Sequence, residues 1–219
     1  MTNFFFSYFN IIVLAVWIIF FTVVALRVLR PELLKKISYR CLITSAISIH
    51  LLYGVFATWL QYIAFSGSSV GQVLVNIALP KEVPFAWFVE WTRPMFEGAH
   101  GYFAFYAFQH FFLITVALLA LVGLVTLFFS VYAKYRPALF EEGDIAIIAL
   151  AFLISGWYGS LVLIPLAGVF AALYVIIRIV LKKSNKVNLP VALLLTVPVA
   201  FVFAIPILSL LSLYPLLKL

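Results

Sequence analysis

Charge and cysteine are what this chain has least of. One cysteine in 219 residues cannot close an internal disulfide, and no Cys-rich zinc framework can be built from it. Charged residues make up 10% of the chain, where soluble domains carry about 25%. Only seven residues are acidic, and Asp144 is the sole aspartate. What fills the space instead is apolar: 67% of residues, with 18% aromatic and a mean hydropathy of +1.23. A water-soluble globule is excluded, because a single core of this size cannot hide so much apolar surface. The net charge of +7 would suggest nucleic acid in a soluble domain. In a membrane chain its placement reports topology instead, so membrane lipid is the expected surrounding and nucleic acid is not an expected partner.

The few charges leave uncharged intervals at 1–26, 41–80, 98–133, 145–177 and 187–217. Each is long enough to span a bilayer, since about 20 apolar residues cover the roughly 30 Å hydrocarbon core. The interval 145–177 is broken by Ser155-Gly156-Trp157-Tyr158-Gly159-Ser160, which predicts two helices joined by a tight turn. The expected fold is an all-α integral membrane protein, a single polytopic domain over 1–219. About six transmembrane helices are predicted, near 5–29, 41–63, 101–131, 145–157, 160–181 and 190–214. An outward interfacial segment over about 64–100 follows the second.

Arg27, Arg30, Lys35, Lys36 and Arg40 follow the first span closely, and no basic residue precedes it. The positive-inside rule therefore makes its C-terminal end cytoplasmic. Alternating six spans puts Lys134, Arg136, Arg178, Lys182, Lys183 and Lys186 on that same side. Of the fourteen basic residues only Lys81, Arg93 and Lys218 fall on the other. The prediction is a multi-pass protein of the cytoplasmic (inner) membrane with both termini outside. A cleaved signal peptide fits residues 1–26 less well, because a basic leading region and a small-residue cleavage site are both missing.

Within 64–100, Pro80, Lys81, Glu82, Pro84, Trp87, Glu90, Trp91, Arg93, Pro94 and Glu97 mix tryptophan with charge, as a linker lying along the headgroups would. Cytoplasmic loops are short, so any chemistry must be done at the membrane. His50 and His110 lie part-way along the second and third spans and could ligate a b-type haem, although an intramembrane histidine is more often a packing residue. His100 with Glu97 has i, i+3 spacing for a metal, yet two ligands are few, and interfacial anchoring accounts for both. Pro190, Pro198, Pro206 and Pro215 punctuate the last span, a pattern that broken transporter helices also show. A non-enzymatic membrane protein, transporter-like or haem-binding, is thus the alternative to an enzyme.

Two acidic residues stand out on the expected cytoplasmic face. Asp144, in Glu141-Glu142-Gly143-Asp144, directly precedes a span, where an aspartate commonly caps a helix. Glu32 is the only acidic residue of the first cytoplasmic loop, where it also serves as a counter-charge to five basic neighbours. Two carboxylates meeting there could share one proton, the ionised one activating a water and the protonated one polarising a scissile carbonyl.

The stretch from Phe140 through Gly143-Asp144 to Trp157 resembles the region around the GxGD motif of type IV prepilin peptidases and archaeal preflagellin peptidases. The resemblance continues through an apolar helix holding Gly168, the basic run Lys182-Lys183-Ser184-Asn185-Lys186, and Pro190 opening another helix. It implies a GxGD-type membrane aspartic peptidase bundle, with Asp144 as one catalytic carboxylate and Gly143, Glu141 and Glu142 around it. The family's first aspartate precedes an Ile-Pro-Asn run. Ile37-Ser38-Tyr39 occupies that place, and Glu32 is the nearest acid, about one position out of register. The chain departs from the pattern at Glu141 for the first glycine, at Ala146 for a lysine, and at Ser38-Tyr39 for Pro-Asn. The resemblance therefore implies either a divergent endopeptidase that removes leaders from pilin-like or flagellin-like precursors, or a relative that has lost catalysis. The Cys-bearing domain of many bacterial members is missing, so neither zinc nor any other cofactor is expected.

Overall fold

The computed structural model describes residues 2–83, 85, 90–137, 140–180 and 189–214. Uncharged runs of Leu, Ala, Val, Ile and Phe become helices, as they must where no water can satisfy the backbone. Among the described residues seven α-helices follow one another: α1 (Thr2–Leu29), α2 (Tyr39–Ser66), α3 (Ser69–Asn76), α4 (Gly101–Ala107), α5 (Leu113–Tyr135), α6 (Asp144–Val180) and α7 (Leu189–Leu210). A 3₁₀ helix covers Glu90–Phe96, and a π-helical turn, Phe108–Phe112, joins α4 to α5. Among the described residues five helical segments are long and apolar enough to cross a membrane: Tyr8–Leu29, Tyr39–Ser66, Gly101–Tyr135, Asp144–Phe170 and Pro190–Leu210. The chain is an all-α, multi-pass membrane protein. Apolar side chains such as Ile12, Ile19, Leu124 and Phe128 are exposed on these helices, as lipid-facing surfaces require.

The count is five, where six spans are predicted from the sequence. The two stretches predicted at 145–157 and 160–181 fall, as far as Val180, within α6, which is interrupted at Gly156 with φ 68° and ψ −177°; position 181 lies outside the described residues. The Ser160 hydroxyl donates to the Phe152 carbonyl at 2.9 Å, although eight residues of straight helix rise about 12 Å. A methyl group on Gly159 would lie 2.9 Å from Ser155 Cβ. The chain therefore bends sharply at the place the sequence marks. Its two arms are two helices that meet at this kink, as the sequence predicts, although together they supply a single long apolar segment, Asp144–Phe170.

Two compact units are present. One gathers the residues up to Val13 with His50–Thr115. Here the segment 64–100 is held by specific side-chain contacts. Ser68 caps α3 by accepting the Gly71 N–H at 3.0 Å. The Arg93 side chain donates to the Val83 carbonyl at 3.0 Å and to the Lys81 carbonyl at 3.2 Å, and it pairs with Glu90. Its guanidinium is held above the usual arginine range, first by the hydrogen bond to Glu90. Phe85 packs against Phe105 in a tilted pair with ring centroids 4.6 Å apart, and Phe96 meets both Phe105 and Phe108, so an aromatic cluster ties the segment to α4. Trp91 and Met95 stay exposed, as interfacial anchors do. Pro84 and Trp87, which the sequence places in this segment, lie outside the described residues.

The other unit gathers Leu14–Ile49 with Val116 onward. Its centre is the first arm of α6, where every residue from Ile147 to Ile154 is buried. A helix apolar and covered on all sides is the inner element of a bundle. α7 packs against α6, with Leu194, Val197 and Ala200 buried. At one end Trp17, Ile154 and Val197 line an apolar groove of about 380 Å³.

Candidate functional site

Asp144 is the first residue of α6, not its N-cap. The capping position belongs to Gly143, whose carbonyl accepts the Ile147 N–H at 3.0 Å and whose φ of +95° suits glycine. The Asp144 carboxylate turns back instead. Its Oδ2 accepts the Glu141 N–H at 2.8 Å, while the Asp144 N–H donates to the Glu141 carbonyl at 3.2 Å. The side chain thereby closes the turn from Glu141 to Asp144. Asp144 is buried, 5% exposed, and Oδ1 makes no hydrogen bond among the described residues. The sequence expectation of ordinary capping is corrected on this point: the turn already presents Gly143 to the helix end, so the carboxylate serves the loop.

The loop of Glu32 reaches the same turn through Tyr39. The Tyr39 ring lies against Gly143, where an added methyl would come within 2.6 Å of Cε2. Arg27 covers the ring at 4.9 Å and donates from Nε to the Ile37 carbonyl at 3.0 Å. One aromatic ring, held by the last turn of α1, thus joins the 30–38 loop to the Gly143-Asp144 turn. Glu32 itself is exposed, and no hydrogen bond joins it to Asp144 among the described residues. Glu141 and Glu142 are exposed beside the turn. Tyr39 is the residue that sequence reasoning missed. It counted there only as a departure from Pro-Asn, and nothing local in the sequence announces a contact across a hundred positions.

The histidines lie elsewhere, in the other unit. His110 sits in the π turn, stacks on Tyr106 at 4.1 Å and places Nδ1 3.1 Å from the Tyr106 carbonyl. A carbonyl only accepts, so Nδ1 carries the proton and Nε2 is left as an acceptor in the neutral ring. His50 is half-buried within α2. His100 and Glu97 do not share a helix. His100 stands before α4 in a left-handed conformation, φ 68°, and its Nδ1 donates to the Val75 carbonyl at 2.7 Å, which corrects the helical i, i+3 spacing. Among the described residues no group of three or more His, Cys, Asp or Glu is placed to hold a metal ion. The basic run 182–186, Pro215 and Lys218 lie outside the described residues.

No protein-family model, curated protein or solved structure matches the chain.

Proposed function

We propose that this protein is a membrane aspartic endopeptidase of the prepilin-peptidase type, with Asp144 as one working carboxylate and Glu32 as its partner. The observation that carries the reading is the Gly143-Asp144 turn. The only aspartate of the chain is buried at the start of the bundle's inner helix, beside a loop that bears a second carboxylate and is fastened to the turn by Tyr39. With one oxygen of Asp144 held by the Glu141 N–H, the other is left to bind a water or carry a proton. In such a pair the ionised carboxylate takes a proton from the attacking water while the protonated one donates to the carbonyl oxygen of the scissile bond. Substrate leaders of pilin-like or flagellin-like precursors would meet the pair at the cytoplasmic boundary. Glu32 must move toward Asp144 to take part, so a precursor that draws the 30–38 loop inward completes the site.

The test is cleavage of a leader-bearing precursor in membranes by wild type, Asp144→Asn and Glu32→Gln. Asparagine keeps an oxygen for the Glu141 N–H and loses the acid, so Asp144→Asn should fold and fail to cleave. Unchanged cleavage by Asp144→Asn would sink the assignment. A wild type inactive on every precursor would leave a relative without catalysis.

A further inference from the structure

The turn that carries Glu141 and Glu142 also closes one end of a cavity of about 800 Å³, within the roughly 300–1,000 Å³ usual for small-molecule sites. Its lining changes character with depth. At the outer end stand Arg40, in the first turn of α2, with Glu141 and Glu142, all three exposed. Further in, Ala146 and Ala149 of α6 leave room where larger side chains would fill it, and Ala149 is buried. Thr126 of α5 lines the same space, and its Oγ1 is buried without a hydrogen-bond partner. Leaving a buried hydroxyl unpaired is costly, and a purely apolar occupant would not relieve it.

Arg40, Glu141 and Glu142 form no ion pair among the described residues. The two carboxylates call for a donor cation. The planar guanidinium calls for a phosphate or carboxylate. An apolar throat with one hydroxyl calls for a chain bearing an acceptor near its polar end. We propose that this cavity binds an aminophospholipid. Its phosphate lies on Arg40 and its ammonium between Glu141 and Glu142. A rotation about χ1 of Thr126 brings its hydroxyl to an ester carbonyl, and an acyl chain runs over Ala146 and Ala149. Arg40 and Glu141 flank helix starts, the level at which headgroups lie. The site does not include Asp144 and stands whether or not the chain is a peptidase.

The experiment is lipid retention by the purified full-length protein in mild detergent, read by native mass spectrometry after exchange with phosphatidylethanolamine, phosphatidylcholine or phosphatidylglycerol of identical chains. Phosphatidylethanolamine should be retained about tenfold better than either of the others. The choline head offers no N–H donor, and the glycerol head offers no cation. The double variant Glu141→Gln, Glu142→Gln should lose the preference, and Ala146→Leu should lower retention of all three lipids. The Glu-to-Gln pair is exposed and carries the test even where Ala146→Leu fails to fold. Equal retention of the three lipids by the wild type, retention of none, or a preference unchanged in the Gln variant would overturn the proposal.

Discussion

At the scale of single residues, Gly143 carries two requirements at once. Its φ of +95° is costly for a residue with a Cβ, roughly 1–2 kcal/mol, and the added methyl would also strike Tyr39. Gly143→Ala is therefore expected to lower the thermal midpoint of the detergent-solubilised protein. Combining it with Tyr39→Ala should recover the part due to the clash but not the part due to the backbone; full recovery would mean that the φ value costs nothing. Ser160→Ala makes a second case. It leaves the buried Phe152 carbonyl without the hydroxyl it accepts from, so a loss of about 1–3 kcal/mol is expected in chemical unfolding. His110→Ala addresses the haem alternative: a haem protein would be coloured, with a Soret band that this substitution abolishes, whereas the peptidase reading expects a colourless preparation. The sequence made Asp144 conspicuous as the only aspartate. It could not say that Gly143 caps the helix, because the assignment depends on a φ value which a Gly-Asp pair does not specify.

Among the elements, α6 shows best what was legible. Ser155-Gly156 and Gly159-Ser160 mark a break in an otherwise uninterrupted apolar run, and the bend lies there. Gly156 has φ 68° and ψ −177°, a region that is essentially glycine's own and costs about 1–3 kcal/mol elsewhere. Nothing lies within 4 Å of a Cβ built on it. Gly156→Ala should thus destabilise through the backbone alone, whereas Gly159→Ala should do so through contact with Ser155. A combined Gly159→Ala, Ser155→Gly variant separates them, since only the contact is relieved there; if Gly156→Ala leaves the thermal midpoint unchanged, the bend is not strained. Less could be read of 64–100. Its order comes from aromatic contacts such as Phe85 with Phe105, twenty residues apart, and no local pattern encodes them. The π turn at Phe108–Phe112 was also invisible, because a run of aromatic residues suits an α-helix equally well.

For the whole molecule, the expectation that matters is sidedness. Single cysteines replacing Lys35, Lys81 and Lys183 on a Cys41→Ser background should be distinguished by an impermeant thiol reagent in intact cells. Position 81 should label, while 35 and 183 should label only after permeabilisation. Five straight crossings would carry position 183 to the side opposite position 35. The basic residues after α6 resist that arrangement, and a chain that turns back at Gly156 avoids it. Labelling of 183 without permeabilisation would reject the return. Apolar runs and basic loops sufficed to read the membrane class and the helices, because both follow from burial in lipid. The proposed pairing of Asp144 with Glu32 was legible only as two residues on one expected face, since the contact that ties the Glu32 loop to the Asp144 turn is made by a single ring.

The bend also constrains how the chain enters the membrane during synthesis. The arm from Asp144 to Ser155 is 12 residues long, which as helix is about 18 Å, well short of the roughly 20 residues that a bilayer retains as a span. Released alone into lipid it would expose its last carbonyls at mid-depth, and it has no stable place there. It must therefore wait at the insertion machinery until Ser160 has emerged to donate its hydroxyl to the Phe152 carbonyl, so that both arms leave together. A chain truncated between Gly156 and Ser160 should fail to integrate this region, while one extended past Phe170 should succeed.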